Sequence, residues 1–439
     1  MDDDRLDRRL RSDATGDRPH DVGLFLDRLA TSQRARPVRF GRASARPSLG
    51  LATAVVLALV ATLALRPVLF GPGDASPTPG SSAPGPSSST RPAIAIEALD
   101  GVLAAWSSAN GNASGSLSVI DRFGEHITIG FGSRRGNTTP AAGRIGEVGR
   151  MTVVSATLIY ADCFASGSIG CILPTPGRLA LHDPLRRWFP KSTIADRTVT
   201  QLLEGTSGVA PTGPTLADLA RQIAAAPDRA WTRNAVLQAS LEAPPRFEAG
   251  ARREPVDTEY LILEELIGLA SGEHPIDWIA PPVLGHGGLE HTWFGTEVPE
   301  PLLPGHAEGT VVADLDPRLI DLLGPAGGAA ATSEDVARLA MISWGTAMVL
   351  PLDPFHAITD VDNGHREPLG AVGSCPCDAD GASVITLSGH AIGWGSLAAW
   401  DYTSQAAVGV VVDVDPSQAG LDELLQQLIA VIRDDRGNS

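Results

Sequence analysis

One lysine, Lys191, is present in 439 residues. A reaction that needs lysine as base or nucleophile uses Lys191 or does not operate here. Ser192 follows Lys191, but both stand in WFPKST, which reads as an exposed loop. Ser155 lies in an apolar helical run with Leu158 at i+3, so no base sits one turn on. A Ser-His-Asp arrangement using His390 would draw partners from anywhere in the chain. His286 and His291 flank Glu290 in HGGLEHTWF, without the H-E-x-x-H helix of a zinc site. Asp360-Val-Asp362-Asn363-Gly364 lacks the third alternating ligand and the position-12 Glu of a calcium loop, and reads as an acidic surface turn. Gly327-Gly328 is not followed by the Gly-Lys-Ser/Thr of a phosphate loop. No metal and no cofactor is implied. Cys163 and Cys171 enclose FASGSIG, a loop that one disulfide can close. Cys375 and Cys377, separated by Pro376, are a second candidate pair with a more strained ring. A four-cysteine metal site is the rival reading, and neither pair has its C-x-x-C spacing.

The elements that must position these groups divide sharply along the chain. Residues 1–46 hold 11 Arg and 8 Asp, and five of those Arg fall between Arg34 and Arg46 with no acid among them. From Pro47 to Leu65 there is no charge, a length close to that needed to cross a ~30 Å hydrocarbon core. The preceding Arg cluster places the tail in the cytoplasm. Residues 71–92 are mostly Gly, Pro, Ser and Thr, too polar to pack, and read as a flexible tether. The expected plan is a cytoplasmic Arg/Asp-rich tail (1–46), a transmembrane helix (47–70), a linker (71–92) and an extracytoplasmic domain (93–439). Within the tail, Val22, Leu26 and Leu29 could form a short amphipathic helix that folds onto a cytoplasmic protein partner. The net charge of −17 disfavours nucleic acid as a partner.

In the domain, Ile96, Leu99, Leu103 and Trp106 mark a helix over Ile94–Ser108. Gly115–Gly130 alternates as two strands around Phe123-Gly124. Met151–Ala161 reads as a buried helix. Helical patterns recur over Leu216–Ala225, Glu259–Ala270 and Ser333–Ile342, and strand patterns over Ser383–Leu387 and Ala406–Val414. Gly420–Asp434 closes the chain with a helix. Strands at both ends with helices between them predict an α+β fold, an antiparallel sheet built from both termini plus a helical insertion.

Several motifs, in order, resemble one family. Leu179-Ala-Leu-His-Asp183-Pro184 is similar to LxLDDP, and Thr198–Val209 to ITVRQLLTHTSGL. Tyr260–Gly272 resembles YxLLGxIIExxTG, Ala331–Leu339 resembles STAxDLARF, and Ser388-Gly389-His390 with Gly393 and Gly395 resembles GHxGxxxG. These resemble serine β-lactamase-related and penicillin-binding proteins, in the branch of class C β-lactamases, D-Ala-D-Ala carboxypeptidases and related esterases. The resemblance covers nearly all of Ala93–Ile432 and implies a β-lactamase/transpeptidase-like fold. It makes Ser207 part of a structural turn, and HGGLEHTWF the counterpart of a loop that binds no metal.

The same resemblance places the family's S-x-x-K on Glu147 and Arg150, and its Y-x-N on Pro255-Val256-Asp257. His390 matches the third motif, but Ile392 stands where the family has Gly. An arginine stays protonated and cannot serve as an ordinary base. Acyl transfer to Glu147 would form an anhydride. Glu147 and Arg150 are i, i+3, the spacing of a helical ion pair that fills the vacated space. Two functions follow. One is a membrane-anchored pseudoenzyme that binds, senses or scaffolds, with Arg150 holding a cell-wall peptide or another carboxylate ligand. The alternative is a serine hydrolase with a rearranged site.

Overall fold

In the computed structural model the described residues are 96–437, except 122–123, 167–178, 212–215, 227–231, 281–287, 300, 308, 346–358, 362–364 and 368–383. The expected tail, membrane span and linker lie outside them. So do His286, Asp362, Cys171, Cys375, Cys377 and the side chain of Cys163. Among the described residues no helix is long and apolar enough to cross a membrane.

Helix α1 (Ile96–Ala109) buries Leu99, Leu103 and Trp106 on one face. Strands β1 (Gly115–Asp121) and β2 (His126–Phe131) follow as a hairpin. After β3 (Ala142–Arg144) comes one 3-10 turn, Gly146–Gly149, leading into α2 (Arg150–Ser166). The helical insertion comprises α3 (Val199–Leu203), α4 (Leu216–Ala225), α5 (Arg233–Glu242), α6 (Asp257–Ser271) and α7 (Pro275–Ala280). The chain returns through β4 (Thr292–Trp293), β5 (Gly305–Ala307), β6 (Thr310–Val312), α8 (Pro317–Gly328), β7 (Ala330–Thr332) and α9 (Ser333–Ala340). A small hairpin of β8 (Thr359–Val361) and β9 (His365–Glu367) precedes β10 (Val384–Ala391), β11 (Trp394–Asp401), β12 (Ala406–Val412) and α10 (Gln418–Gly437).

The main sheet has the order β10-β11-β12-β1-β2 and is antiparallel throughout. The two ends of the domain meet where β1 pairs with β12, Gly115 opposite Val412. This is the terminal sheet with a helical insertion that the sequence predicts. Both faces are covered. Leu117, Val119, Val408 and Val410 pack with Leu103, Leu424 and Leu428 of α1 and α10. On the other face, Ile120, Ala407 and Val411 join the core of α2, α6 and α9. Ser116 and Ser118 also face that side, and both hydrogen-bond Ser333 Oγ, at 2.7 and 2.8 Å. Buried hydroxyls need such partners. Gly409 lets α9 lie flush on β12, since a Cβ there would sit 2.1 Å from the Ser333 carbonyl oxygen.

Capping sets the insertion's helix starts. Thr198 and Gln201 form a reciprocal capping box, with the Thr198 N–H donating to Gln201 Oε1 at 3.0 Å. Helix α6 starts similarly, as Glu259 reaches back to accept the Val256 N–H at 3.0 Å. It ends at Gly272, whose φ of 73° is the left-handed C-cap that glycine favours.

Candidate functional site

The site is built where the turn 146–149 presses on β10. Arg144 anchors this region. Its side chain is fully buried, binds Asp314 through Nε and Nη2 at 2.7 Å each, and donates Nη1 to the Gly295 and Gly328 carbonyls. The next residue, Ile145, donates its N–H to the Ala329 carbonyl and accepts Ser396 Oγ at 2.8 Å. The approach to β10 requires glycine on both sides. A Cβ on Gly389 would lie 1.9 Å from the Ile145 oxygen, and one on Gly146 (φ 49°) 2.5 Å from the His390 oxygen.

This contact brings the four sequence-predicted positions together. Glu147 Oε2 accepts the backbone N–H of His390 at 2.5 Å. Arg150 donates from both Nε (3.0 Å) and Nη2 to Asp257 Oδ1. Glu147 Oε1 is 3.9 Å from Arg150 Nη2, the outer edge of ion-pair range. The expected i, i+3 ion pair is present at this distance, and its setting differs in two respects. Glu147 sits in the 3-10 turn rather than in the α-helix, which begins at Arg150. Its carboxylate turns towards the strand N–H, and Arg150 takes its principal partner from the start of α6.

The Arg150 guanidinium is buried and lies 5.1 Å from the Tyr260 ring centroid. Burial works to lower its pKa, but attraction to Asp257, Tyr260 and Glu147 prevails and the value is raised. It is a permanent cation and no proton acceptor. Among the described residues the buried Tyr260 hydroxyl has no hydrogen-bond partner, and burial, opposed by Arg150, pushes its pKa up to about 12. His390 Nδ1 lies 2.8 Å from Asp415 Oδ1, a pairing the sequence reading missed because the two are 25 residues apart.

Among the serines considered from sequence, Ser207 meets a carboxylate, but both groups are buried away from solvent. Ser207 is fully buried, donating to Glu259 Oε1 at 2.5 Å and accepting the Val209 N–H, which makes it a turn residue. Ser155 and Ser192 each bury an Oγ that has no hydrogen-bond partner among the described residues. Lys191 is exposed. His291 donates its backbone N–H to Asp335 Oδ2 at 2.7 Å.

Glu259 is a buried carboxylate that the sequence reading used only to mark a helix. Its spacing, three residues after Val256 at a helix start, is the signal that could have found it. Burial raises its pKa from 4.5 to about 7, against the opposing bonds from Ser207 and Val256. A folded-state value above the unfolded one means that folding takes up a proton. The stabilisation is complete below about pH 4.5 and is lost as pH rises through 7. Urea unfolding at pH 5 and pH 8 should show wild type losing roughly 2–3 kcal/mol relative to Glu259→Gln across that window. Parallel pH dependence in the two proteins would show that Glu259 does not titrate there.

A solvent-open cleft lies over these groups. Its polar end is formed by Gly146, Glu147, Asp257 and His390, and its wall by Leu219, Val236, Leu261, Leu322, Leu323, Ala326 and Gly327. The α8 part of the wall is shaped by a break at Gly324-Pro325, where Gly324 has φ 59° and ψ −161°. Beneath it Glu264, fully buried, pairs with Arg233 and accepts the Ala326 N–H at 2.9 Å.

Comparison with known proteins now bears on this geometry. The Beta-lactamase family model matches residues 172–430, more than half of the chain. The chain belongs to the β-lactamase family. The match takes in the Thr206-Ser207 turn, α6 and the Ser388-Gly389-His390 strand, and begins after Glu147 and Arg150. No curated protein matches the chain. Solved structures share the fold. The D-stereospecific amidohydrolase from a Streptomyces species is 19% identical, with a TM-score of 0.59 over 74% of this chain and 97% of the other. The D-amino acid amidase from Ochrobactrum anthropi SV3, complexed with L-phenylalanine, is 18% identical, with a TM-score of 0.59 over 77% and 98%. The class C β-lactamase from Rhodobacter sphaeroides is 15% identical, with a TM-score of 0.55 over 76% and 99%. The β-lactamase/transpeptidase-like α+β fold expected from the motifs is thus established.

Proposed function

We propose that this β-lactamase-family domain does not acylate, and that it works as a binding, sensing or scaffolding module held outside the cell by the 47–70 span. One observation carries the reading. Glu147 stands at the position that the motif order gives to the nucleophile, and its carboxylate already occupies the His390 N–H. Serine-type acyl transfer needs a hydroxyl nucleophile, a proton acceptor beside it and donors free to meet a developing oxyanion. Here the nucleophile's place holds a carboxylate, the acceptor's place holds a guanidinium paired with Asp257, and a candidate donor is engaged. The other serines offer no substitute, since Ser207 is sealed in its turn and Lys191 lies on an exposed loop.

The Arg cluster before the apolar run supports a cytoplasmic N-terminus, and the tail's apolar patch supports a protein partner on that side. Incubation of the full-length protein with a fluorescent penicillin, followed by denaturing electrophoresis, tests the reading. No covalent label is expected. Stoichiometric labelling would replace it with the serine-hydrolase alternative.

A further inference from the structure

We propose that the cleft takes an organic cation, a protonated amine bearing an apolar chain or ring, and not a carboxylate. This rests on the reading of the cleft as a non-acylating binding site. The cation Arg150 does not line the cleft, whereas Glu147 and Asp257 do. The Arg150 side chain is 8% exposed against 29% for Glu147 and 56% for Asp257. Both carboxylates therefore stand between the guanidinium and the opening. Asp257 receives its two Arg150 bonds on Oδ1 alone, and among the described residues its Oδ2 accepts none. Glu147 Oε1, 3.9 Å from Arg150, is likewise beyond hydrogen-bond reach of it.

Charge balance decides the sign of the ligand. Two carboxylates against one guanidinium leave a net formal charge of −1. His390 with Asp415 adds either −1 or nothing, depending on the ring's protonation. The Glu264–Arg233 pair under the wall is balanced. An incoming carboxylate meets repulsion, and the nearest guanidinium already donates two bonds to Asp257. An ammonium brings three donors to acceptors that lack them, and charge-assisted bonds of this kind are about twice as strong as neutral ones. The leucines and valine of the lining supply the apolar half of the site.

Calorimetric titration of the full-length protein with n-hexylammonium, n-hexanoate and n-hexanol isolates the head group at constant tail. Hexylammonium should bind at least about tenfold more tightly than either of the others, the factor equivalent to one charge-assisted bond. Asp257→Asn should remove most of that preference. Hexylammonium binding no tighter than hexanol or hexanoate in wild type would overturn the proposal, whether or not the variant folds. So would a preference that survives in folded Asp257→Asn. Failure here is separable from failure of the parent reading. Penicillin labelling overturns the non-acylating assignment whatever the amine does, and absence of both labelling and amine preference overturns the ligand class alone.

Discussion

Arg144→Met should destabilise the domain by about 3–5 kcal/mol, the range for removing one partner of a buried charge network. The methionine fills comparable volume, so the loss comes from stranded polar groups rather than from a cavity. The Asp314 carboxylate loses a two-pronged partner, and the Gly295 and Gly328 carbonyls lose theirs. Asp314→Asn should cost a similar amount, because it leaves the fully buried Arg144 guanidinium without its counter-charge. The damage should also reach the cleft, because Arg144 immediately precedes the Ile145-Gly146-Glu147 turn. Urea unfolding measures the first effect. Amide exchange at His390 measures the second, and its protection should fall in Arg144→Met because its acceptor, Glu147, is no longer held in place. A loss below about 1 kcal/mol would show that Arg144 does not anchor the turn.

Glu264→Leu should have a comparable effect, about 3–5 kcal/mol, for a related reason. It leaves Arg233 without its buried counter-charge and the Ala326 N–H without its acceptor. Among the described residues the buried Arg233 Nε has no hydrogen-bond partner, so the site is already under-satisfied. Space there is tight, as a Cβ on Gly324 would meet both the Arg233 and Glu264 side chains. Glu264→Gln keeps an acceptor for Ala326 and the same shape, and should cost about 1–2 kcal/mol. Thermal unfolding of the two variants against wild type checks the order. Equal losses in Leu and Gln variants would mean that the charge, and not the bond to Ala326, dominates. The wall residues Leu322, Leu323 and Ala326 flank this break, so loosening it should reshape the cleft.

The sequence carried the fold where periodicity was clean. Leu99, Leu103 and Trp106 marked α1, and the Ser/Leu/Ser/Val alternation marked β1, because one helix face or one strand face has a distinct composition. It did not carry β11. Trp394–Asp401 is buried on both faces, so apolar and small residues run together without alternation. Helix α8 was also missed. Gly324-Pro325 breaks its pattern, and the Glu264–Arg233 pair packs against the break. In the site, the motif order was enough to single out Glu147, Arg150, Asp257 and His390. The bonding among them was not legible. Helical spacing suggested Glu147 with Arg150, whereas the turn's φ of 49° at Gly146 redirects Glu147 to the strand. Asp415 and the apolar wall depend on long-range packing that no local pattern records.

In the proposed reading the scaffold of a serine enzyme family is kept, and a carboxylate and a guanidinium, Glu147 and Arg150, stand at the positions of its nucleophile and base. Each is then stabilised by its own network, to the His390 N–H and to Asp257. Reversing one position alone would leave the other network misfitted, so Glu147→Ser by itself should not yield an acylating enzyme.

The most direct measurement is the intact mass of the full-length protein after incubation with benzylpenicillin. The account predicts a mass identical to that of the untreated protein. A stoichiometric increase by one penicillin molecule, mapped to any serine of the domain, would contradict it.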